Sequence, residues 1–253
     1  MIKSKNFEKL KGMKHGFFNR SGGKSKGIYR SLNCGPGSKD KKININQNLK
    51  IVLNKFGKTS KKIFLLHQVH SNKFVFINKN FKNNKKKLKA DAIITDQKKL
   101  PIGVLTADCV PVLVYDNTLK IVAAIHSGWK GAYKGIINKV INFMIKKGCK
   151  RKNIHAVIGP SICQNNYNVK RDFLIRFLKK DKKNKIFFKK IKNVIYFNLP
   201  RYVKSQLKFN KISSIDHINI DTFNEKNNFF SARRSLRLKH DDYGRNISII
   251  MIN

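Results

Sequence analysis

Residues 106–130, TADCVPVLVYDNTLKIVAAIHSGWK, contain two apolar runs joined by a short polar piece. The runs VPVLVYD (110–116) and KIVAAIH (120–126) are short and rich in β-branched residues, which favours strands. A hairpin is the simplest connection between two such runs. The stretch therefore predicts a pair of antiparallel strands with Cys109 and His126 at their outer ends.

The length of the hairpin loop decides whether Cys109 and His126 face each other. If residues 117–118 form a two-residue loop, Asp116 pairs with Leu119, and counting outward from that pair places Cys109 directly opposite His126. Opposed residues share a face with Cβ atoms about 4.5–5.5 Å apart, which suits a thiolate and an imidazole that bind one metal ion. A three-residue loop would break this pairing.

The run IFLLHQVHS (63–71), which also predicts a strand, supplies a third candidate ligand. On a strand His67 and His70 face opposite sides, whereas Gln68 and His70 share a face, which makes Gln68 a candidate substrate-binding residue. We favour His70, because it lies at the end of the run, where loops carry chemistry. Two histidines and a cysteine are typical of a catalytic rather than a structural zinc site. The alternative is that Cys109 is a core residue and the histidines are merely hydrogen-bonded.

The rest of the chain is dominated by short runs of strand type. Further strands are predicted at 73–78, 91–96, 101–106, 154–159, 215–220 and 247–252, and helices at 131–147, 169–178 and 199–207. The lysine-rich segment 82–89 reads as a surface loop, and 179–190 as a loop or a helix tail. This order predicts an α/β (α+β) fold of mixed β-sheets packed with flanking helices, with residues 1–253 as a single compact domain.

The chain carries 56 Lys and Arg against 13 Asp and Glu, a formal net charge of +43. The basic residues are mostly lysines spread along the whole chain, and no nucleic-acid-binding module is recognisable, so we expect solvated surface and no specific nucleic-acid partner. No signal peptide or membrane span is recognisable. The four cysteines, Cys34, Cys109, Cys149 and Cys163, form no CxxC pair. We therefore expect a cytoplasmic protein with reduced thiols and no membrane partner.

Three further segments are candidates for substrate binding. The glycine-rich stretch SGWKGAYKG (127–135), which contains Gly128, leads into a predicted helix whose N-terminus could attract an anion; it could equally be a simple turn. The other two segments, 19–35 and 229–235, could bind phosphate or ribose hydroxyls. The residues they contribute are Arg20, Asn33, Arg233 and Arg234.

Taken together, these motifs closely resemble the YfiH-like laccase-domain family, whose members are described as purine nucleoside phosphorylase, polyphenol oxidoreductase and peptidoglycan editing factor. The resemblance runs from about Gly16 to the C-terminus. It rests on RSGGKSKGIYRSLNCG (20–35), HQVHS (67–71), ADAIITD (90–96), TADCVPVLVYD (106–116), AAIHSGWKGAYKGI (123–136), IGPSICQNNYNV (158–169), FFSARRS (229–235) and YGR (243–245).

The resemblance implies a zinc site formed by His70, Cys109 and His126, and it selects His70 over His67. It also implies phosphorolysis of adenosine, inosine, guanosine or methylthioadenosine, with adenosine deamination as a companion reaction. The partners would be a purine nucleoside and phosphate, and the chain would be a monomer or a homodimer. Phosphate is expected near Arg20 and the 128–131 turn.

Deamination would need another constellation than the familiar one, because the chain lacks the HxE and PCxxC motifs of the usual nucleoside deaminases. Asp108 or Cys109 could then transfer protons. The chain also departs from the family pattern at Leu49, Asn168 and Asp221, where relatives often carry Arg, Glu and Cys. If the missing arginine contacts phosphate in relatives, Lys50 could take its place here.

Two other activities stay open. In a hydrolase that edits peptidoglycan precursors, Cys109 would be the nucleophile and His126 its base, an arrangement that fits a cysteine opposite a histidine. A copper-dependent polyphenol oxidase (laccase) ranks last, because seven scattered histidines provide no paired His-x-His ligands. In that alternative the bound metal would be copper and not zinc.

Overall fold

The computed structural model describes residues 1–57, 62–82 and 88–253. The helices are α1 (Lys5–Glu8), α2 (Lys42–Phe56), α3 (Trp129–Tyr133), α4 (Ile136–Lys146), α5 (Arg171–Lys180), α6 (Leu199–Phe209) and α7 (Ala232–Arg237). The strands are β1 (Met13–Phe17), β2 (Phe74–Ile77), β3 (Ala92–Thr95), β4 (Ile102–Thr106), β5 (Val110–Asp116), β6 (Ile121–Ser127), β7 (Ile154–Ile158), β8 (Asn168–Val169), β9 (Phe188–Ile191), β10 (Val194–Phe197), β11 (Ser214–His217) and β12 (Asn246–Ile252). Within the described ranges, no helix is long and apolar enough to cross a membrane.

Strands β5 and β6 form the predicted hairpin at the centre of a six-stranded mixed sheet of order β11-β7-β5-β6-β3-β2. Every residue of both strands is buried. Val112 and Val114 pack with α4 and α6 on one face, while Leu113 and Tyr115 pack on the other face towards a second sheet of order β1-β12-β4. Because both faces are covered, the strands read as continuous apolar runs. A third, small sheet has the order β8-β10-β9.

The predicted fold class is confirmed: mixed sheets carry flanking helices in a single compact domain. Most predicted elements lie within a few residues of their expected bounds. The long predicted helix 131–147 is instead two helices, α3 and α4. They separate at Gly135, which has a φ of +79°, a left-handed backbone conformation that interrupts a helix.

The predicted two-residue hairpin loop is wrong. The connection spans residues 117–120, so Asp116 pairs with Ile121 and Pro111, rather than Cys109, pairs with His126. The Asp116 carboxylate accepts hydrogen bonds from the backbone N–H groups of Thr118 and Leu119, and these bonds hold the longer turn. Because the register is shifted by two residues, each side chain keeps its predicted face.

The run 63–71 is not a strand. Its pairing is limited to isolated bridges at Phe64 and His67, and His70 has a left-handed φ of +57°. The Gln68 side chain takes the place of ladder hydrogen bonds, since its amide donates to the Leu105 carbonyl (2.7 Å) and accepts from the Leu105 N–H (2.8 Å). The alternation of side-chain faces that is expected for a strand therefore does not apply to residues 63–71.

The two lysine-rich segments have different outcomes. Segment 82–89 lies partly outside the described residues. Segment 179–190 contains the end of α5, a 3-10 turn at Lys182–Phe187 and the start of β9. Strand β1 and helix α2 were not predicted from the sequence.

Candidate metal centre and cavity

His70, Cys109 and His126 converge at one end of the hairpin. One nitrogen of each imidazole and the Cys109 Sγ all lie within 4.8 Å of one another. The Sγ atom is 3.8 Å from His70 Nε2, and the two imidazole centroids are 4.8 Å apart with rings at 77°. Among the described residues this is the only such group of three or more His, Cys, Asp or Glu side chains.

Three different backbone contexts bring these side chains together. His126 is the sixth residue of β6, Cys109 directly precedes β5, and His70 is in the irregular 63–71 segment. Asp108, just before the cysteine, has a left-handed φ of +86°. Cys109 thus points to the site from a turn, which explains how it joins His126 without being its ladder partner.

His126 is oriented by a carboxylate that the sequence analysis did not assign to the site. Its Nδ1 lies 2.8 Å from Oδ1 of Asp91, which has no exposed surface. Burial opposes ionisation of Asp91, but hydrogen bonds from His126 and Ser71 outweigh it and lower the pKa of Asp91 to about 2. Asp91 is the second residue of the motif ADAIITD (90–96). Its position at the start of a predicted strand was the sequence feature that could have indicated its role.

The cysteine and His126 shift each other's protonation. Burial disfavours the thiolate, but the charge of His126 and hydrogen bonds from His126 and His70 outweigh burial and lower the pKa of Cys109 to about 6. Burial likewise disfavours imidazolium, yet Cys109 and Asp91 raise the pKa of His126 to about 9. The site therefore favours a thiolate, the form of cysteine that binds metals or acts as a nucleophile.

The donor set fits a divalent metal ion. Two ligand atoms bound at about 2.0 and 2.3 Å to a tetrahedral zinc are separated by roughly 3.5 Å, close to the 3.8 Å between His70 Nε2 and Cys109 Sγ. The Asp91 contact to Nδ1 leaves Nε2 of His126 as the ligand atom, as is usual for metal-binding histidines. The three side chains could hold the ion and leave a coordination position for substrate or water.

Gly128 allows the close approach of the ligands. A Cβ atom at this position would lie 2.9 Å from both Cys109 Sγ and His70 Cδ2. Its φ of −69° is open to any residue, so the reason for glycine here is space and not backbone conformation. Gly128 does not line the cavity, so its role in the structure is to leave room for the ligands, whereas the sequence predicted it to bind substrate.

The three ligand candidates open into a cavity of about 580 Å³, a size suited to a small molecule such as a nucleoside. Its walls combine apolar side chains, two tyrosines and two arginines. The lining residues are Pro36, Gly37, Leu65, Leu66, His67, Gln68, His70, Leu105, Thr106, Ala107, Asp108, Cys109, His126, Ile162, Tyr167, Leu199, Ala232, Arg233, Leu236, Tyr243 and Arg245.

Two arginine–tyrosine pairs lie in the cavity wall. The Arg233 guanidinium lies 5.3 Å from the Tyr167 ring centroid, and the Arg245 guanidinium lies 4.6 Å from that of Tyr243. Arg233 Nη1 donates to Asn168 Oδ1 (2.8 Å). Of these residues only Arg233 was predicted to bind substrate; Arg245 and the tyrosines fall in quoted motifs but were given no role.

Asp108 lies in the cavity wall, but its carboxylate is engaged within the protein. Oδ1 accepts from the Thr222 hydroxyl (2.7 Å), and Oδ2 accepts from the Ser231 hydroxyl (2.9 Å) and the Arg233 N–H (2.7 Å). Burial raises the pKa of Asp108 above its usual range despite these hydrogen bonds. Its geometry is that of a residue that anchors the segment carrying Arg233.

The other predicted binding residues lie outside the cavity lining, Gln68 excepted. Arg20 pairs with Glu225 at 3.4 Å, and Arg234 donates to the carbonyls of residues 222, 223 and 229. Asn33 has no exposed surface, and its Oδ1 accepts from the N–H of Arg245. The structure thus gives Arg20, Asn33 and Arg234 contacts that hold loops together, while Gln68 lines the cavity with its amide bound to Leu105.

Known proteins share both the sequence and the fold. Purine nucleoside phosphorylases of Rickettsia conorii and Rickettsia prowazekii are 38% identical over 213 residues and 37% identical over 194 residues, covering 82% and 76% of this chain and 86% and 78% of their own. The crystal structure of the Bacillus licheniformis hypothetical protein YfiH superposes with a TM-score of 0.86 at 28% identity, covering 95% of this chain and 93% of that one.

A family model described as "Multi-copper polyphenol oxidoreductase laccase" matches residues 14–253. The match contains all three ligand candidates and the whole cavity lining. The chain therefore belongs to this YfiH-like family.

Proposed function

We propose that this protein is a zinc-dependent purine nucleoside phosphorylase. The main support is structural: the cluster of His70, Cys109 and His126 opens into a nucleoside-sized cavity, and Arg233 and Arg245 lie in the wall of that cavity. Relatives at 37% and 38% identity bear the name purine nucleoside phosphorylase, which supports this assignment. The substrates we propose are adenosine, inosine, guanosine and methylthioadenosine.

Phosphorolysis moves the bond at C1′ of the ribose from the purine nitrogen to a phosphate oxygen. The C–N electron pair departs with the base, which takes up a proton, and the products are free base and ribose 1-phosphate, or 5-methylthioribose 1-phosphate from methylthioadenosine. A divalent ion held by the three ligands would supply Lewis-acid polarisation of a bound oxygen. The remaining requirements are an anion site and a rigid seat for the nucleoside.

The two cavity arginines are suited to the phosphate. A guanidinium carries five N–H donors in a planar fork, and within the described residues the guanidinium hydrogen bonds of Arg233 and Arg245 to protein acceptors use only Nη1. Their other donors can therefore serve an anion. This proposal moves the phosphate from Arg20, expected from sequence, to Arg233 and Arg245.

The tyrosines and apolar residues of the cavity are suited to the nucleoside. Tyr167 and Tyr243 present aromatic surface, and Leu65, Leu199 and Leu236 add apolar surface for a purine ring. Asp108 takes a positioning role here, because it holds the N–H of Arg233. Adenosine deamination is a companion activity in this proposal and would use the same cavity.

A phosphate-dependent product assay tests the proposal. Purified protein, with its zinc content measured, is incubated with inosine or adenosine in the presence and absence of inorganic phosphate. We expect free base and ribose 1-phosphate in equal amounts, with no base released when phosphate is omitted. Base release with free ribose, or no release from any of the four nucleosides, would refute phosphorolysis. Inosine formed from adenosine without phosphate reports the deaminase activity.

One observation favours a second candidate, a cysteine-dependent hydrolase that edits peptidoglycan precursors. Cys109, His126 and Asp91 form a thiol, an imidazole and a carboxylate in contact order, with Nδ1 of the histidine on the carboxylate at 2.8 Å. That order is also the order of a nucleophile, its base and an orienting acid. Turnover of a muropeptide precursor by metal-free protein would favour this reading over phosphorolysis.

A further inference from the structure

We propose that Asp91 is a positioning residue that sets both histidine ligands through a single carboxylate, an inference that rests on the metal site proposed above. Asp91 directly precedes β3, the strand next to β6 in the sheet. It is fully buried and touches neither the cavity nor the cluster of ligand atoms. It therefore acts on the site only through the two histidines.

Asp91 fixes the protonation and direction of His126. An ionised carboxylate can only accept hydrogen bonds, so the contact between its Oδ1 and Nδ1 of His126 (2.8 Å) requires the proton on Nδ1. The lone pair on Nε2 is then free to bind a metal. The backbone repeats the link, since the N–H of His126 donates to the Asp91 carbonyl at 2.7 Å.

The same oxygen also holds His70. The N–H of His70 donates to Asp91 Oδ1 at 2.9 Å, the oxygen already bonded to His126. Oδ2 accepts from the N–H (2.6 Å) and hydroxyl (2.7 Å) of Ser71. These bonds close the turn in which His70 has its left-handed φ of +57°. A non-glycine residue holds that conformation when its surroundings enforce it.

One buried carboxylate thus joins a ligand on an irregular segment to a ligand on a sheet strand. The N–H of Asp91 donates to the carbonyl of Lys73 at 3.0 Å, which anchors the same segment on its far side. Since Oδ1 is shared, a displacement of the carboxylate disturbs the His126 imidazole and the backbone that carries His70 together. The spacing of the two imidazole nitrogens, on which metal affinity depends, is set by this residue.

The test uses Asp91→Asn, which keeps the size of the side chain and removes its charge. We expect zinc affinity to fall about 10- to 100-fold, the usual cost of mutating the hydrogen-bond partner behind a metal-binding histidine. The matched control is Asp116→Asn, also fully buried and at the other end of β5, which should keep wild-type zinc affinity. Thermal melts of both variants report folding separately from metal binding.

A second measurement on the wild-type protein covers the case in which Asp91→Asn does not fold. In zinc-loaded protein with ¹⁵N-labelled histidine, the NMR shifts of His126 should show a protonated, hydrogen-bonded Nδ1 and a ligated Nε2. A ligated Nδ1, or unchanged zinc affinity in a folded Asp91→Asn variant, would overturn the positioning role. Absence of phosphorolysis with these zinc and NMR results intact would refute the proposed function alone.

Discussion

Cysteine, histidine and aspartate occur together at both ends of the β5–β6 hairpin, but only one end has the geometry of a site. At the first end Cys109 and His126 converge beside a cavity, and Asp91 lies behind His126 with Oδ1 2.8 Å from its Nδ1. At the other end are Asp116, which closes β5, and Cys149, whose thiol lies close enough to feel the Asp116 charge. His155 on β7 adds the third residue type there.

Among the described residues, the side chains at the second end form no group like that of His70, Cys109 and His126, and none of them lines the cavity. Nδ1 of His155 is 2.8 Å from the Ser214 hydroxyl, and its Nε2 has no hydrogen-bond partner among the described residues. Cys149 is 3% exposed in the core, and burial together with Asp116 raises its pKa to about 12. Burial lowers the pKa of His155. These residue types therefore have the geometry of a site only at the end of the hairpin where they converge beside the cavity.

Removing one cysteine from each end of the hairpin should show the largest difference between the two ends. We expect Cys109→Ala to abolish zinc retention and lower kcat/KM at least about 1000-fold, because a three-ligand site loses its only thiolate. Cys149→Ala should keep zinc and turnover, with a somewhat lower Tm from the small cavity it leaves. Zinc analysis and the base-release assay on both variants decide the matter; a fully active Cys109→Ala would end the site assignment.

The arginine wall of the cavity is tested by Arg245→Ala and Arg233→Ala. Hydrogen bonds to a charged ligand contribute about 1.5–3 kcal/mol, so each change should raise the KM for phosphate roughly 10- to 100-fold. Zinc content should stay unchanged. Arg237→Ala is the control, because this exposed arginine packs over Phe223 outside the cavity lining. The same phosphate KM in the Arg233 and Arg245 variants as in the Arg237 control would contradict the proposal that the two cavity arginines bind phosphate.

Gly128→Ala tests the space around the ligands. The added Cβ would approach Cys109 Sγ and His70 Cδ2 to 2.9 Å, closer than ordinary contact, while the backbone conformation suits alanine. We expect zinc affinity to fall roughly 10-fold, because ligand spacing of the wrong size weakens a metal site. Competition with a chromogenic chelator measures the change, and an unaffected affinity would show that the ligands move apart freely.

The two cysteines should also differ in their response to pH in metal-free protein. With a pKa lowered to about 6, Cys109 gains thiolate as pH rises through 6, so its alkylation by iodoacetamide should accelerate about tenfold between pH 5 and pH 7. Cys149, with a pKa raised to about 12, should stay unmodified over this range. Mass spectrometry of the labelled peptides separates the sites; equal labelling would contradict the contrast.

Much of this fold could be predicted from the sequence because the strands are short, apolar and separated by clear breaks. The convergence of Cys109 and His126 was also predicted, but through a wrong register. The two residues still lie on the same face of the sheet, because the true register differs from the predicted one by two residues. The loop length itself depends on hydrogen bonds from the Asp116 side chain, which the run pattern does not encode.

The remaining parts of the site depend on contacts between distant segments. Asp91 reaches the ligands because β3 pairs with β6, and Arg245 enters the cavity from a segment far along the chain. Arg20 was expected near phosphate because it lies in the glycine-rich 19–35 segment, which is part of the family resemblance. The structure gives it a surface ion pair with Glu225 instead. Such long-range placement requires the sheet order, which single-segment patterns do not determine.

We propose that one metal ion is held at the first end of the hairpin and none at the second. Anomalous diffraction from crystals of the purified protein, recorded on either side of the zinc absorption edge, tests this directly. We predict one zinc peak bonded to His70 Nε2, Cys109 Sγ and His126 Nε2. A peak beside Asp116, Cys149 and His155, a copper signal in place of zinc, or no peak at the three ligands would contradict the account.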